Sequence, residues 1–250
     1  RNIPQAHGTM KAGRWDRKQF QGVELYNKTL GILGMGRIGS EVARRAIAFG
    51  MRVLAYDPYI TLSRAKALQV ELAEQLDDLY GRVDFLTVHM PISDETRGMI
   101  NAAAFAKMKR GGRIINCARG GIVSEADLSV AIRSGQVAGA ALDVYETEPP
   151  PAEFALRELP QVIMTPHLGA STHEANWTAA KRSAEQLIAY VERGVSTYVV
   201  NKGVPDGLDE KFQQLAYHIA CVGKGFLGSG VPVTRIECSF YGNLHQFGKW

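Results

Sequence analysis

Cysteine is scarce in this chain, and the three present, Cys117, Cys221 and Cys238, stand at no metal-ligand spacing. That argues against a disulfide framework or a zinc site and fits a reducing compartment such as the cytoplasm. No apolar stretch approaches the roughly 18 residues that a membrane helix needs, and no signal peptide opens the sequence. An excess of one charge sign is also missing. With 29 Lys and Arg against 25 Asp and Glu the net charge is +4. The basic residues are interleaved with acids and form no stripe, which argues against a nucleic-acid partner. What remains is an ordinary globular composition, 46% hydrophobic and 22% charged over 250 residues, enough to bury a sizeable core.

Short apolar runs alternate with longer segments of helical period, the pattern of a parallel α/β sheet. Strands are expected at Thr29–Leu33, Arg52–Tyr56, Phe85–Val88, Arg113–Asn116, Ala138–Leu142 and Val162–Met164. Helices are expected at Ile38–Phe49, Leu62–Leu68, Ala102–Met108 and Glu125–Arg133, the last capped by Ser124 or Glu125, with a long amphipathic one at Thr172–Arg193 ending at Gly194. Six strands with crossovers predict a doubly wound, Rossmann-type sheet. Beyond a linker at Asn201–Gly207, a weak helix at Lys211–Val222 and a strand at Val231–Phe240 read as the start of a further domain.

Gly34-Met35-Gly36-Arg37-Ile38-Gly39 follows the first strand and opens a helix, the context in which a G-x-G-x-x-G run binds a dinucleotide. Gly34 permits the tight turn, Gly36 lets the backbone approach a pyrophosphate, and Gly39 lets helix and strand pack closely. The Arg37 and Ile38 amides and the helix dipole then favour an anion at that end. Asp57 closes the second strand, 18 residues after Gly39. That is near the spacing expected of a carboxylate on the adenine ribose, and it disfavours a 2′-phosphate. The predicted cofactor is NAD.

Three polar residues follow later strands: Arg119 after Asn116, Glu148 after the strand ending near Asp143, and His167 in Thr165-Pro166-His167. Singly, each is an unremarkable loop residue, more often solvated than functional. Together they fall on the carboxyl edge of the sheet, where doubly wound folds bind their ligands.

Leu33–Gly39, Asn116-Cys117-Ala118-Arg119-Gly120-Gly121, Leu142–Pro149 and Pro166-His167-Leu168-Gly169-Ala170-Ser171-Thr172 resemble the signatures of the D-isomer-specific 2-hydroxyacid dehydrogenases over roughly residues 1–200. The Asn-Cys-Ala-Arg form, Lys11-Ala12-Gly13-Arg14-Trp15 and the His-Leu-Gly-Ala-Ser-Thr run are most similar to the branch that oxidises 3-phosphoglycerate to 3-phosphohydroxypyruvate in serine biosynthesis. The resemblance implies a 2-hydroxy or 2-oxo acid substrate, NAD, no metal, and assembly as a homodimer or homotetramer. His167 would be the acid–base group, Glu148 would fix its tautomer, and Arg119 would bind the substrate carboxylate and polarise the C2 oxygen. Met90, Cys117, Ala118 and Asp143 would line the cofactor with Arg119 and His167, and Leu168, Gly169 and Ala170 would lie near the nicotinamide. Cys117 is then a lining residue and not a nucleophile.

The same resemblance implies a division of the chain. Residues 1–14 would end a helix that crosses from a substrate lobe, 15–171 would be the NAD-binding domain, 172–195 would return to the lobe, and 205–250 would begin another domain. On this expectation the chain is a fragment that binds NAD but turns over slowly or not at all by itself. Hydroxypyruvate or glyoxylate reductase and D-lactate dehydrogenase share the motifs, though the tail after Gly194 favours the longer branch. Formate dehydrogenase pairs its histidine with Gln where this chain has Glu148. A non-enzymatic, NAD-sensing scaffold similar to the C-terminal-binding-protein corepressors remains an alternative.

Overall fold

A computed structural model describes residues 2–193. The expected helix at Lys211–Val222, the strand at Val231–Phe240, the linker before them and the cap at Gly194 lie outside the described residues. The chain divides into two compact units, Arg1–Asn176 and Trp177–Trp250.

The first unit is built on seven parallel strands: β1 (Thr29–Leu33), β2 (Arg52–Tyr56), β3 (Glu71–Leu72), β4 (Phe85–Val88), β5 (Gly112–Asn116), β6 (Val137–Leu142) and β7 (Val162–Met164). Their order across the sheet is β3-β2-β1-β4-β5-β6-β7. The chain thus runs outward one way from β1 and then returns to start again at β4. The crevice at that reversal, between the carboxyl ends of β1 and β4, is where such sheets take ligands.

Residue alternation along the strands assigns the helices to faces. Leu30 and Ile32 of β1 and Val53 and Ala55 of β2 pack in one cluster with Ala43 and Ala46 of α2 (Arg37–Ala48) and Ala65 of α3 (Leu62–Ala67). Leu33 and Leu54 from the same strands join a second cluster. There they meet Leu79 and Tyr80 of α4 (Leu76–Arg82), Phe105 of α5 (Ala102–Lys107) and Leu128 and Ile132 of α6 (Glu125–Arg133). A period of two in the strands therefore feeds two cores, one on each side.

The expected strands and helices are found within one or two residues, and Ser124 caps α6 by accepting the Asp127 amide at 3.3 Å. Besides the short 3-10 turn at Arg17–Phe20, two of the described elements escape the sequence reading. β3 has two residues, too few to show a period. α4 has seven, includes Gly81, and lacks a capping side chain at Gln75, although Leu76, Leu79 and Tyr80 do follow helical spacing. Ahead of β1 lie α1 (Ile3–Lys11), with Pro4 in its first turn as that ring prefers, and a 3-10 turn at Arg17–Phe20. The last helix, α7 (His173–Arg193), is opened by Thr172, whose hydroxyl accepts the Ala175 amide at 3.1 Å. Among the described residues no helix is long and apolar enough to cross a membrane.

Candidate active site

The glycine turn stands at the β1 end of the crevice, and its shape is fixed by backbone contacts. A Cβ on Gly39 would lie 2.0 Å from the Gly34 carbonyl oxygen, so strand and helix meet there with no room for a side chain. Gly34 has φ +91°, and a Cβ there would lie 2.6 Å from the His89 carbonyl oxygen and 2.9 Å from Met90 Cγ. The segment after β4 is thereby set directly against the turn.

Gly36 is different. Among the described residues, none beyond its chain neighbours lies within 4 Å of where its Cβ would be. Gly36, Arg37 and Ile38 are exposed, and no side chain caps α2, a helix of 12 residues. An open cradle beside a helix end whose first amides have no intrahelical acceptors fits a pyrophosphate. Asp57 stands over the turn: its Oδ2 accepts the Met35 amide at 2.6 Å and its Oδ1 the Tyr59 amide at 2.8 Å. Each carboxylate oxygen keeps a further lone pair for a ribose hydroxyl.

At the other end of the crevice, β5, β6 and β7 are adjacent, and their register aligns Asn116 with Leu142 and Leu142 with Met164. The loops that follow therefore emerge side by side. His167 Nδ1 and Glu148 Oε2 are 2.8 Å apart, and Glu148 Oε1 accepts the Tyr145 amide at 3.1 Å. The His167 bond, followed by that of the Tyr145 amide, holds the Glu148 carboxyl below its ordinary pKa. It is therefore an acceptor at neutral pH, and Nδ1 is the natural donor, leaving Nε2 free to take a proton.

His167 has φ +54°, a left-handed conformation uncommon outside glycine. Asp143 explains how it is held. One carboxylate oxygen accepts the Thr165 hydroxyl at 2.5 Å and the Leu168 amide at 2.7 Å, and the other accepts the Gly169 amide at 2.7 Å. Burial alone would raise the Asp143 pKa, but these three donors, aided by the nearby imidazole, outweigh it and lower the pKa. The carboxylate brackets His167 from both sides. Its side-chain bonds thus go to the loop that carries His167.

Arg119 follows β5 on a turn organised by buried Asn116, whose Oδ1 accepts the Ala118 amide at 3.1 Å and whose Nδ2 donates to the Arg119 carbonyl at 2.9 Å. One arm of the exposed Arg119 guanidinium donates to the Ala118 carbonyl at 2.6 Å. Among the described residues, no hydrogen bond or ion pair joins it to the His167–Glu148 pair. Cys117 is exposed on the same turn, and its thiol pKa is raised by partial desolvation and then by the Asp143 charge, the opposite of what a nucleophile requires. Ala170 is exposed beyond Gly169. Thr165 and Tyr145 are absent from the residues expected of the site, because their contacts to Asp143 and to each other depend on which strands become neighbours; Asn116 is absent too, although its bonds to Ala118 and Arg119 are local. Buried Tyr145 donates its hydroxyl toward the Thr165 carbonyl at 2.8 Å.

Comparison with known proteins agrees with this fold. Residues 1–169 match the family described as D-isomer specific 2-hydroxyacid dehydrogenase, NAD binding domain. The chain belongs to that family. Among its relatives is a D-3-phosphoglycerate dehydrogenase of Methanocaldococcus jannaschii, 46% identical over 98% of this chain and 47% of that protein. One of Bacillus subtilis is 49% identical over 98% of this chain and 46% of its own length. The chain thus spans about half the length of these curated relatives. A glyoxylate reductase structure from Paecilomyes thermophila is similar with a TM-score of 0.74 and 34% identity, covering 81% of this chain and 61% of that one. A D-2-hydroxyisocaproate dehydrogenase structure gives 0.72 and 28%, covering 79% and 63%. The match to the NAD binding domain of the family covers residues 1–169, which lie within the first unit.

Proposed function

We propose that the protein oxidises 3-phospho-D-glycerate to 3-phosphohydroxypyruvate with NAD, the step its curated relatives are named for. The observation that carries the chemistry is the 2.8 Å His167–Glu148 pair on the same sheet edge as the glycine cradle. Glu148 accepts from Nδ1 and so presents Nε2 to the substrate's 2-hydroxyl, whose proton the imidazole takes. Bound NAD supplies the acceptor for the hydride that leaves C2. Arg119 swings its planar fork from the Ala118 carbonyl onto the substrate carboxylate and the C2 oxygen. Gly36 and the Ile38 amide hold the pyrophosphate, Gly39 keeps the helix against the strand, and Asp57 holds the adenine ribose. Met90, Ala118, Leu168, Gly169 and Ala170 flank the remainder of the cofactor.

The TM-score of 0.74 to a glyoxylate reductase supports a second reading, reduction of a short 2-oxo acid at the same site. A substrate panel scored by NADH absorbance on the full-length gene product separates the two. His167→Ala is expected to lower turnover by about three orders of magnitude, within the range that acid–base groups contribute, while NADH binding stays intact. Turnover retained within about tenfold of the parent would remove His167 from the proton-transfer role. We further propose a homodimer or homotetramer in the cytoplasm, in keeping with the family and the sparse cysteines.

A further inference from the structure

The amino end of α6 is tied to the loop after β6 by an exchange of bonds between two glutamates. The Glu125 amide donates to Glu146 Oε1 at 3.0 Å, and the Glu146 amide donates to Glu125 Oε1 at 2.8 Å. This brings two like charges together across 21 residues of sequence. Burial and then the Glu146 charge raise the pKa of the half-buried Glu125 carboxyl, while the Glu146 amide opposes them. Capping α6 does not by itself require the pair, because Ser124 already caps that helix.

The loop held in this way is the one that carries Glu148. Tyr145, the residue before Glu146, is restrained at three points. Its amide donates to Glu148 Oε1 at 3.1 Å, and its hydroxyl to the Thr165 carbonyl at 2.8 Å. Its carbonyl oxygen lies so close to Gly120 that a Cβ there would be 1.7 Å away. The other oxygen of Glu148 meets His167. A continuous chain of contacts therefore runs from α6 through Glu125, the Glu146 amide, Tyr145 and Glu148 to the imidazole.

We propose that Glu125 is a positioning residue for proton transfer: by holding the Glu146 amide from a helix whose inner face is anchored in the core, it fixes the turn that aims Glu148 at His167. This rests on the reading of His167 as the acid–base group. The role follows from the construction of the corner. Glu148 and His167 are both exposed, so packing around their own side chains does little to orient them, and the fixed points must come from the backbone beneath.

The test uses steady-state kinetics on the full-length gene product with 3-phosphoglycerate, together with NADH titration. Glu125→Ala is expected to lower kcat about tenfold, with KM and the Kd for NADH within about twofold of the parent, because orientation and not binding is lost. Glu125→Gln keeps an amide oxygen for the Glu146 amide and is expected to restore most of kcat. In a Glu148→Gln background, Glu125→Ala is expected to add no further loss, since both act through one group. Parental kcat in Glu125→Ala, or additive losses in the double variant, would overturn the proposal and leave the pair as a structural tie. Should the alanine variant not fold, Glu125→Asp carries the test: its acceptor is set back by one methylene, a several-fold lower kcat supports the role, and parental kcat overturns it. His167→Ala separates the two levels. Retained turnover there defeats the acid–base reading, whereas an inactive His167→Ala beside a fully active Glu125→Ala defeats the positioning role alone.

Discussion

The two ends of the crevice are built from different materials. The turn after β1 is made of backbone, and its geometry depends on side chains that are absent: Gly39 packs against the Gly34 carbonyl, and Gly36 leaves an open space. The corner after β6 and β7 depends on side chains that are present: Glu148 meets His167 at 2.8 Å, and Asp143 accepts the Leu168 and Gly169 amides at 2.7 Å. A methyl group added to the first end should damage it, and a charge removed from the second should damage that. Each region has its own failure mode, and substitutions can set them against each other.

The largest effect is expected at Gly39→Ala. A Cβ placed 2.0 Å from a backbone oxygen cannot be relieved by a side chain turning away, and α2 would have to part from β1. We expect a loss of several kcal/mol, on the scale of severe overpacking, together with loss of NADH binding. Urea unfolding and NADH fluorescence check both. A variant with parental midpoint and affinity would show that strand and helix can separate freely.

Asp143→Asn attacks the opposite end. The new amide would keep one oxygen for Thr165 and Leu168, but its NH2 would face the Gly169 amide, donor against donor. We expect a loss of about 2 kcal/mol at neutral pH, typical of a buried polar group deprived of its partner. Because folding lowers the pKa of Asp143, its contribution is present in full above the ordinary carboxylate pKa and fades as pH falls through the lower folded value. The stability gap between parent and variant should therefore be constant from neutral pH down to about 5 and close under stronger acid. A gap unchanged down to pH 3 would mean that the ionised carboxylate is not what holds the loop.

The contrast between the two ends also explains what could be read from sequence. The glycine turn is contiguous, so Gly34, Gly36, Gly39 and the strand and helix around them declare themselves within a dozen residues. Arg119, Glu148 and His167 are visible as candidates because their loops follow three separate apolar runs and because the motifs around them resemble a known family. Asp143 was expected against the cofactor, but its two acceptor oxygens also bracket His167, which requires β6 and β7 to be neighbours. Nothing in the sequence states that adjacency. Thr165 and Tyr145 are hidden for the same reason. The Glu125–Glu146 exchange is hidden further, since two acids 21 residues apart look like ordinary solvated charges.

Gly36→Ala sharpens the comparison from inside the cradle. Its φ of −65° suits alanine, and among the described residues none beyond its chain neighbours lies within 4 Å of the new Cβ. The fold should keep its parental unfolding midpoint while NADH affinity falls by about tenfold or more, as the methyl fills the space meant for phosphate. Equal damage at Gly36 and Gly39 would deny that the first is kept for a ligand and the second for packing.

The smallest effect expected is a change of selectivity at Asp57, where both materials meet: a side chain whose two oxygens accept the Met35 and Tyr59 amides. Its charge should repel the 2′-phosphate of NADP, so Asp57→Ser should lower the preference for NAD over NADP by about tenfold at low salt. Serine also removes acceptors from the turn, which by itself would weaken both cofactors equally. Asp57→Asn separates the two roles, because it discards the charge but keeps one oxygen for the Met35 amide. If charge is the discriminator, asparagine and serine lose preference alike and differ only in absolute affinity. Retained preference in the asparagine variant would instead assign selectivity to the shape of the turn, and the cradle would then be a backbone device throughout.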